Sequence, residues 1–194
     1  MSKVLEIVIG ITGTNGSGKG TVVERLVDKW GFGHQSAREV IAKEIKARGL
    51  TVTRNNLNKV STELRTNFGP DVFAQRMLKD AKQQGGKQVL ESLRSPAEVE
   101  YLRKKTNFIL VAVDADMRKR YKRIKKRGSS TDNETYESFV EKDKREMESD
   151  DPNRHNNSAC IKQADFTIEN NGTLNELYDQ VDKVMKQVFS EIHN

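Results

Sequence analysis

The sequence is poor in residues that crosslink chains or ligate metals. Its 194 residues include one cysteine, Cys160, so no internal disulfide framework can form and a reducing compartment is expected. The three histidines, His34, His155 and His193, are too few for a Cys/His zinc centre. No run approaches the roughly 18 apolar residues that a membrane span requires. Met1-Ser2-Lys3 leads straight into a short apolar segment, with neither an h-region nor a cleavage pattern. A cytoplasmic chain without a membrane partner is therefore expected. Internal repeats and low-complexity linkers are also missing. This length suits one α/β domain over residues 1–194, large enough to bury a core without staples.

What the chain does have is charge, and that charge is local. The net charge is +6, but residues 118–127 (RKRYKRIKKR) carry eight cations in ten positions, leaving −2 for the remainder. One basic helix, and not a basic surface, has to be explained, so a general polyanion-coating role is disfavoured. Arg118 to Lys122 read as surface.

Strand-like and helix-like segments alternate along the chain. Residues 4–12 are β-branched, and helical spacing follows over 20–30. A weak strand covers 32–36, and a helix over 38–48 stops at Gly49. Helices are expected over 55–67 and 70–84, the second with Pro70 at its first position and Gly85-Gly86 at its end. A short strand at 89–91 precedes the capping box Ser95-Pro96-Ala97-Glu98. Residues 108–114 form a strong strand, followed by the basic helix, a polar stretch at 129–133 and a charged helix to about residue 150. The last strand covers 165–169. A second capping box, Thr173 to Glu176, opens a terminal helix with Leu177, Val181, Val184, Val188 and Ile192 inward. Five strands separated by helices imply a parallel sheet covered on both faces. Residues 37–86 and 123–150 exceed a simple crossover and are expected as a helical insertion and a lid over the sheet's C-terminal edge.

Directly after the first strand stands Gly13-Thr14-Asn15-Gly16-Ser17-Gly18-Lys19-Gly20-Thr21, where a helix begins. A strand–loop–helix setting gives a G-x4-G-K pattern physical meaning as a Walker A loop. Glycines let backbone N–H groups wrap a polyphosphate, the helix N-terminus adds its positive end, and Lys19 supplies a point charge. The next position, usually the hydroxyl that ligates magnesium, is Gly20, with Thr21 following. Glu91, at the end of the third strand, is placed to hold magnesium through water, and Arg94 points into the same crevice. Arg123 and Arg127 share one helix face, spaced as a clamp for a transferring phosphoryl group.

Gly18-Lys19-Gly20-Thr21 resembles the adenylate kinase and nucleoside monophosphate kinase group. Glu91-Ser92-Leu93-Arg94 resembles that group's Asp-Gly-x-x-Arg turn, and Arg123 to Arg127 its R-x-x-x-R lid element. Residues 164–174, with Asn171 and Gly172, look like the closing strand–loop–helix of dephospho-coenzyme A kinases, where such a loop lies against adenine; a plain Asn/Gly turn explains them equally well. The resemblance covers nearly the whole chain and implies a three-layer P-loop NTPase fold with an acceptor-binding helical insertion and a lid. It implies ATP and Mg2+ as donor and cofactor. Gly13, Asn15, Gly16, Ser17, Gly18, Lys19, Gly20, Thr21, Asn171 and Gly172 would then bind nucleotide, with Thr21 and Glu91 near the metal. Lys19, Arg94, Arg123 and Arg127 would be catalytic.

The acceptor is argued from chemistry. A hydroxyl acceptor needs a base, but the region after the second strand reads His34-Gln35-Ser36-Ala37-Arg38-Glu39, with Glu39 as its only carboxylate. A phosphate acceptor needs cations, and Arg38, Arg65, Arg76 and Arg94, with Ser36, supply a substrate-binding set. A nucleoside or deoxynucleoside monophosphate is therefore favoured. Transfer to a hydroxyl, as in dephospho-coenzyme A kinase, and a nucleotide-dependent RNA-binding module remain the alternatives. No role is assigned to residues 143–161 beyond a possible second lid arginine, Arg145.

Overall fold

The structure is a computed structural model describing residues 4–128 and 135–192. The polar stretch at 129–133, His193 and the side chain of Ile192 lie outside the described residues. Five strands, β1 (Leu5–Gly13), β2 (Gly33–Ser36), β3 (Gly86–Glu91), β4 (Phe108–Asp114) and β5 (Phe166–Glu169), form one all-parallel sheet in the order β2-β3-β1-β4-β5. This is the expected α/β fold. Being parallel, the strands end along one edge, and the loops that follow β1, β3 and β4 gather there.

Central β1 explains its own composition. Val8 enters the core on one face, while Ile7, Ile9 and Ile11 enter the core on the other. A strand buried on both faces reads as a continuous apolar run and not as an alternation. Helices α1 (Lys19–Trp30) and α9 (Leu174–Ile192) cover the isoleucine face with Val22, Val23, Leu26, Val181 and Val188. Helices α2 (Ala37–Ala47), α3 (Arg54–Phe68), α4 (Val72–Gln84), α5 (Pro96–Lys105) and α8 (Asn157–Lys162) build the opposite core around Ile45, Leu64, Phe73, Met77, Val99 and Leu110. The two remaining helices, α6 (Met117–Arg127) and α7 (Tyr136–Met147), follow β4 and flank the sheet's C-terminal edge.

Local chemistry sets the boundaries. At α1's end Gly31 is left-handed, with Gly31 N–H donating to the Val27 carbonyl, an αL cap, and Phe32 N–H reaching back to that of Leu26. Both capping boxes form. Ser95 Oγ caps α5 while Glu98 accepts from the N–H groups of Ser95 (3.0 Å) and Arg94 (2.7 Å). Glu176 accepts from Thr173 N–H at 2.6 Å. Three expectations need correction. Pro70 is not at the first helical position, because Asp71 is the N-cap of α4 and the helix begins at Val72. β3 starts at Gly86, three residues early, with Gln88 buried in it; the Gln88 amide nitrogen donates to the Gly85 carbonyl at 2.7 Å, while its amide oxygen has no partner. Short α8 was not anticipated; Asn156 caps it by accepting from Ala159 N–H at 3.0 Å.

Candidate active site

The loop after β1 is shaped by what cannot fit there. A Cβ on Gly13 (φ 133°) would strike the Val113 carbonyl, and one on Gly18 (φ 102°) would strike the Asn170 amide. Gly18 is the N-cap of α1, offers no side-chain acceptor and is followed by no acidic residue in the first turn. The first N–H groups of α1 therefore lack a side-chain partner and suit an anion. Lys19 folds back over the loop, donating to the carbonyls of Gly13 (3.0 Å) and Thr14 (2.7 Å). Burial, reinforced by the Arg94 charge, pushes its ammonium down to about 7. This half-buried lysine, set beside Arg94 and opposed only by Glu91 and Glu146, favours a further anion in the cavity.

This loop forms one wall of a cavity of about 620 Å³. Asn15, Gly16, Gly18, Lys19, Gly20 and Thr21 line its phosphate side. Arg38 and Ile41 of α2, and Leu57, Asn58, Ser61 and Arg65 of α3, line the opposite side. Glu91 and Arg94 form the floor between them, and Arg123, Ile124 and Arg127 of α6 complete the rim. The sequence-based set is thus largely convergent.

Several expected residues stand elsewhere. Arg76 turns from the cavity, reaching Glu44 at 3.4 Å and stacking over Phe68. Ser36 is buried beside Glu91 in the sheet register but does not line the cavity. Gly13 and Ser17 serve through their carbonyls, Gly13 holding Lys19 and Ser17 accepting from Asn170 at 2.7 Å. Asn171 and Gly172 do not reach the cavity. Asn171 Oδ1 instead accepts from Asp116 N–H at 2.8 Å, and the preceding residue, Asn170, is the one that braces the loop. Arg123 donates to the Asn170 carbonyl (2.9 Å) and to that of Ser17 (3.4 Å), tying α6 to the phosphate loop. Arg145 pairs with Glu141 on an exposed face.

Arg120 reverses an expectation outright. Reading it as surface fails because it is 4% exposed, making a bidentate pair with Asp143 of α7 (2.6 and 2.8 Å) and donating to the carbonyls of Asn15 and Ala115. In the insertion, Arg65 stacks over Phe73 and stands 3.8 Å from Glu98, which is fully buried. Burial holds the Glu98 carboxyl above its ordinary range and the Arg65 guanidinium below its own. Glu91, by contrast, is held low by its 3.2 Å hydrogen bond to His34, so it is ionised at neutral pH.

The region without an assigned role supplies two cavity residues, Glu146 and His155. Glu146 accepts from Arg94 at 3.2 Å, and His155 Nδ1 lies 3.4 Å from the same nitrogen. Nothing local in sequence marks either residue, since both meet Arg94 only through tertiary folding. Among the described residues no cluster of three or more metal-ligating side chains exists. Ionised Glu91 and Thr21 both line the cavity, and they are the groups that would hold a magnesium ion, which would neutralise phosphate charge. No described helix is long and apolar enough to cross a membrane.

Comparison with known proteins agrees with this architecture. A UPF0200 protein of Methanocaldococcus jannaschii is 30% identical over 189 residues, covering 96% of this chain and 92% of its own. The crystal structure of TT1252 from Thermus thermophilus superposes with a TM-score of 0.61 at 22% identity, covering 96% of this chain and 98% of that one. Shikimate kinase from Aquifex aeolicus superposes with a TM-score of 0.55 at 12% identity, covering 96% and 99%. The fold is therefore that of P-loop kinases. Residues 9–149 match the family described as AAA domain, and with this match and the archaeal similarity the chain belongs to the AAA-domain family and to the UPF0200 proteins.

Proposed function

We propose that the protein is a magnesium-dependent kinase that moves the γ-phosphoryl group of ATP to a nucleoside or deoxynucleoside monophosphate. One observation carries this: a single cavity joins the phosphate loop to a second cationic wall, Arg38 and Arg65, with Arg94 between them. A donor polyphosphate fits the loop side, and an anionic acceptor fits the α2–α3 side. Ile41 and Leu57 offer apolar surface for a base, and Asn58 and Ser61 offer hydrogen bonds to its edge. Lys19, Arg94, Arg123 and Arg127 would stabilise charge on the transferring group, which is the main work of phosphoryl transfer. The acceptor phosphate is already anionic and needs no base.

A second reading has its own support. Of the three carboxylates that line the cavity, Glu24, Glu91 and Glu146, the last two lie beside Arg94 or the strand end and could deprotonate a hydroxyl acceptor, and a neighbour in fold is a shikimate kinase. The test is ADP release from Mg-ATP against all ribo- and deoxynucleoside monophosphates, with dephospho-coenzyme A and simple hydroxy acids as the other arm. Stimulation by a monophosphate, lost in Lys19→Ala, supports the first reading. Stimulation only by a hydroxyl compound supports the second. No stimulation by any acceptor with ATP still bound overturns both, and binding of RNA with a steep salt dependence through α6 would then take their place.

A further inference from the structure

His155 sits in the stretch between α7 and α8, and that stretch is built to place it. Asp151 Oδ1 accepts from Asn153 N–H at 2.9 Å, and the Asp151 carbonyl accepts from Arg154 N–H at 3.0 Å. Asn156 then clamps the far side, donating from its side chain to the Ser149 carbonyl at 3.1 Å. Asn156 N–H also donates to the Arg94 carbonyl at 2.8 Å, so the loop is fastened to the backbone of the residue whose side chain His155 meets. Arg94 is itself held from the other direction, its N–H donating to Glu98.

The contact between the two side chains fixes a proton. A guanidinium only donates, so the Nδ1 that faces Arg94 at 3.4 Å must be the bare, accepting nitrogen. The ring's one proton is then on Nε2. Burial and the charges of Arg94 and Arg65 push the imidazole down to about 2, so it stays neutral at physiological pH. The other partner of Arg94 behaves differently. Glu146 is a carboxylate on α7, and its charge opposes that of Arg94, so an incoming phosphoryl group competes with Glu146 for the guanidinium. A neutral acceptor orients without that competition.

Resting on the kinase reading, we propose that His155 is the positioning residue for Arg94, a neutral imidazole locked as one tautomer that holds the guanidinium at the cavity without cancelling its charge. Arg94 is then oriented before a ligand arrives and stays oriented when the ligand displaces Glu146. Nothing in this role requires His155 to accept or release a proton during transfer.

The test uses the full chain with 15N-labelled histidine, since only three imidazoles contribute and the His155→Asn spectrum identifies one of them. Its long-range 1H–15N pattern should show an Nε2–H tautomer unchanged from pH 5 to pH 8, and Arg94→Ala, which removes the donor that keeps Nδ1 bare, should let an Nδ1–H population appear. An Nδ1–H pattern, or titration near 6.5 in the unaltered protein, overturns the proposal. Kinetics add a second arm, following ADP release with the best acceptor of the panel, or with water where none stimulates. His155→Ala should lower kcat on the order of 10- to 100-fold with little change in the KM for ATP. His155→Asn, whose amide oxygen can replace Nδ1, should recover most of it. The double variant with Arg94→Ala should be no slower than Arg94→Ala alone. His155→Asn as slow as His155→Ala, or independent multiplication of the two losses, overturns the role. If the unaltered protein releases no ADP, the kinase reading fails, and the tautomer spectrum by itself supports or overturns the hold on Arg94.

Discussion

Two single residues, Gly18 and Lys19, show how closely the phosphate loop is fitted to its surroundings. Gly18 is left-handed and pressed against Asn170, which leaves no place for a methyl group. Gly18→Ala should therefore cost about 1–3 kcal/mol of stability from backbone strain alone. It should weaken ATP binding further by moving the first turn of α1, as urea unfolding and calorimetric titration would read. Lys19 is the second case. Its ammonium is held down to about 7 by burial and Arg94, and a bound polyphosphate restores its affinity for a proton. The complex therefore holds more protons than the free protein above pH 7, so ATP affinity falls as pH rises from 7.5 to 9, by up to about tenfold per unit. Titration in two buffers of different ionisation enthalpy should show proton uptake on binding at pH 8. A pH-independent affinity without proton uptake would contradict the assignment.

At the scale of elements, the basic helix is fastened at two points. Arg123 ties α6 to the phosphate loop and Asn170, and Arg120 ties it to α7 through Asp143. The second tie is a buried bidentate pair, so Asp143→Ala leaves the guanidinium with only Asp114, 4.0 Å from Nε, as counter-charge and should cost about 3 kcal/mol. The double variant with Arg120→Ala should be less destabilised than the sum of the single losses. Denaturant midpoints of the four proteins decide this. The same helix shows how far sequence reading reached. The phosphate loop was legible because its residues are contiguous and its strand–loop–helix setting is local. The capping boxes at Ser95 and Thr173 were legible for the same reason. Arg120 was not, because its inward direction depends on a carboxylate 23 residues away across a turn. His155 and Glu146 were hidden likewise, each meeting Arg94 through tertiary placement. Arg76 was misplaced because periodicity gives a helix face but not whether a Glu44 waits there.

At the scale of the whole molecule, stability and binding lie in different parts of the fold, which allows them to be separated by two variants. On the α1–α9 face, Asp182 accepts from Arg25 (2.7 Å), Lys29 (2.7 Å) and Trp30 Nε1 (3.0 Å), and these donors hold its carboxyl far below the ordinary range. Its contribution is present above the unfolded carboxylate value and is lost as pH falls through the lowered one. Asp182→Ala should lower the melting temperature at pH 7 by several degrees, corresponding to about 2 kcal/mol, while leaving ATP affinity unchanged. Lys19 carries a cost at neutral pH where Asp182 contributes, though both gain as pH rises. Since its folded value lies near 7 and its unfolded value near 10.5, the unfolded chain binds more protons between those limits. The contribution of this residue to stability thus rises with pH across that window, and at neutral pH the free protein carries a cost for keeping the ammonium charged. Lys19→Ala should therefore leave the free protein as stable or more so, flatten the dependence on pH between 7 and 10, and abolish the rise in melting temperature that Mg-ATP gives the unaltered chain. Thermal unfolding of the three proteins with and without Mg-ATP, at pH 7 and pH 9, measures all of these. A Lys19→Ala protein less stable than the unaltered chain at both pH values would mean that the lysine's two carbonyl contacts outweigh its burial, and that the loop is held by Lys19 and not merely occupied by it.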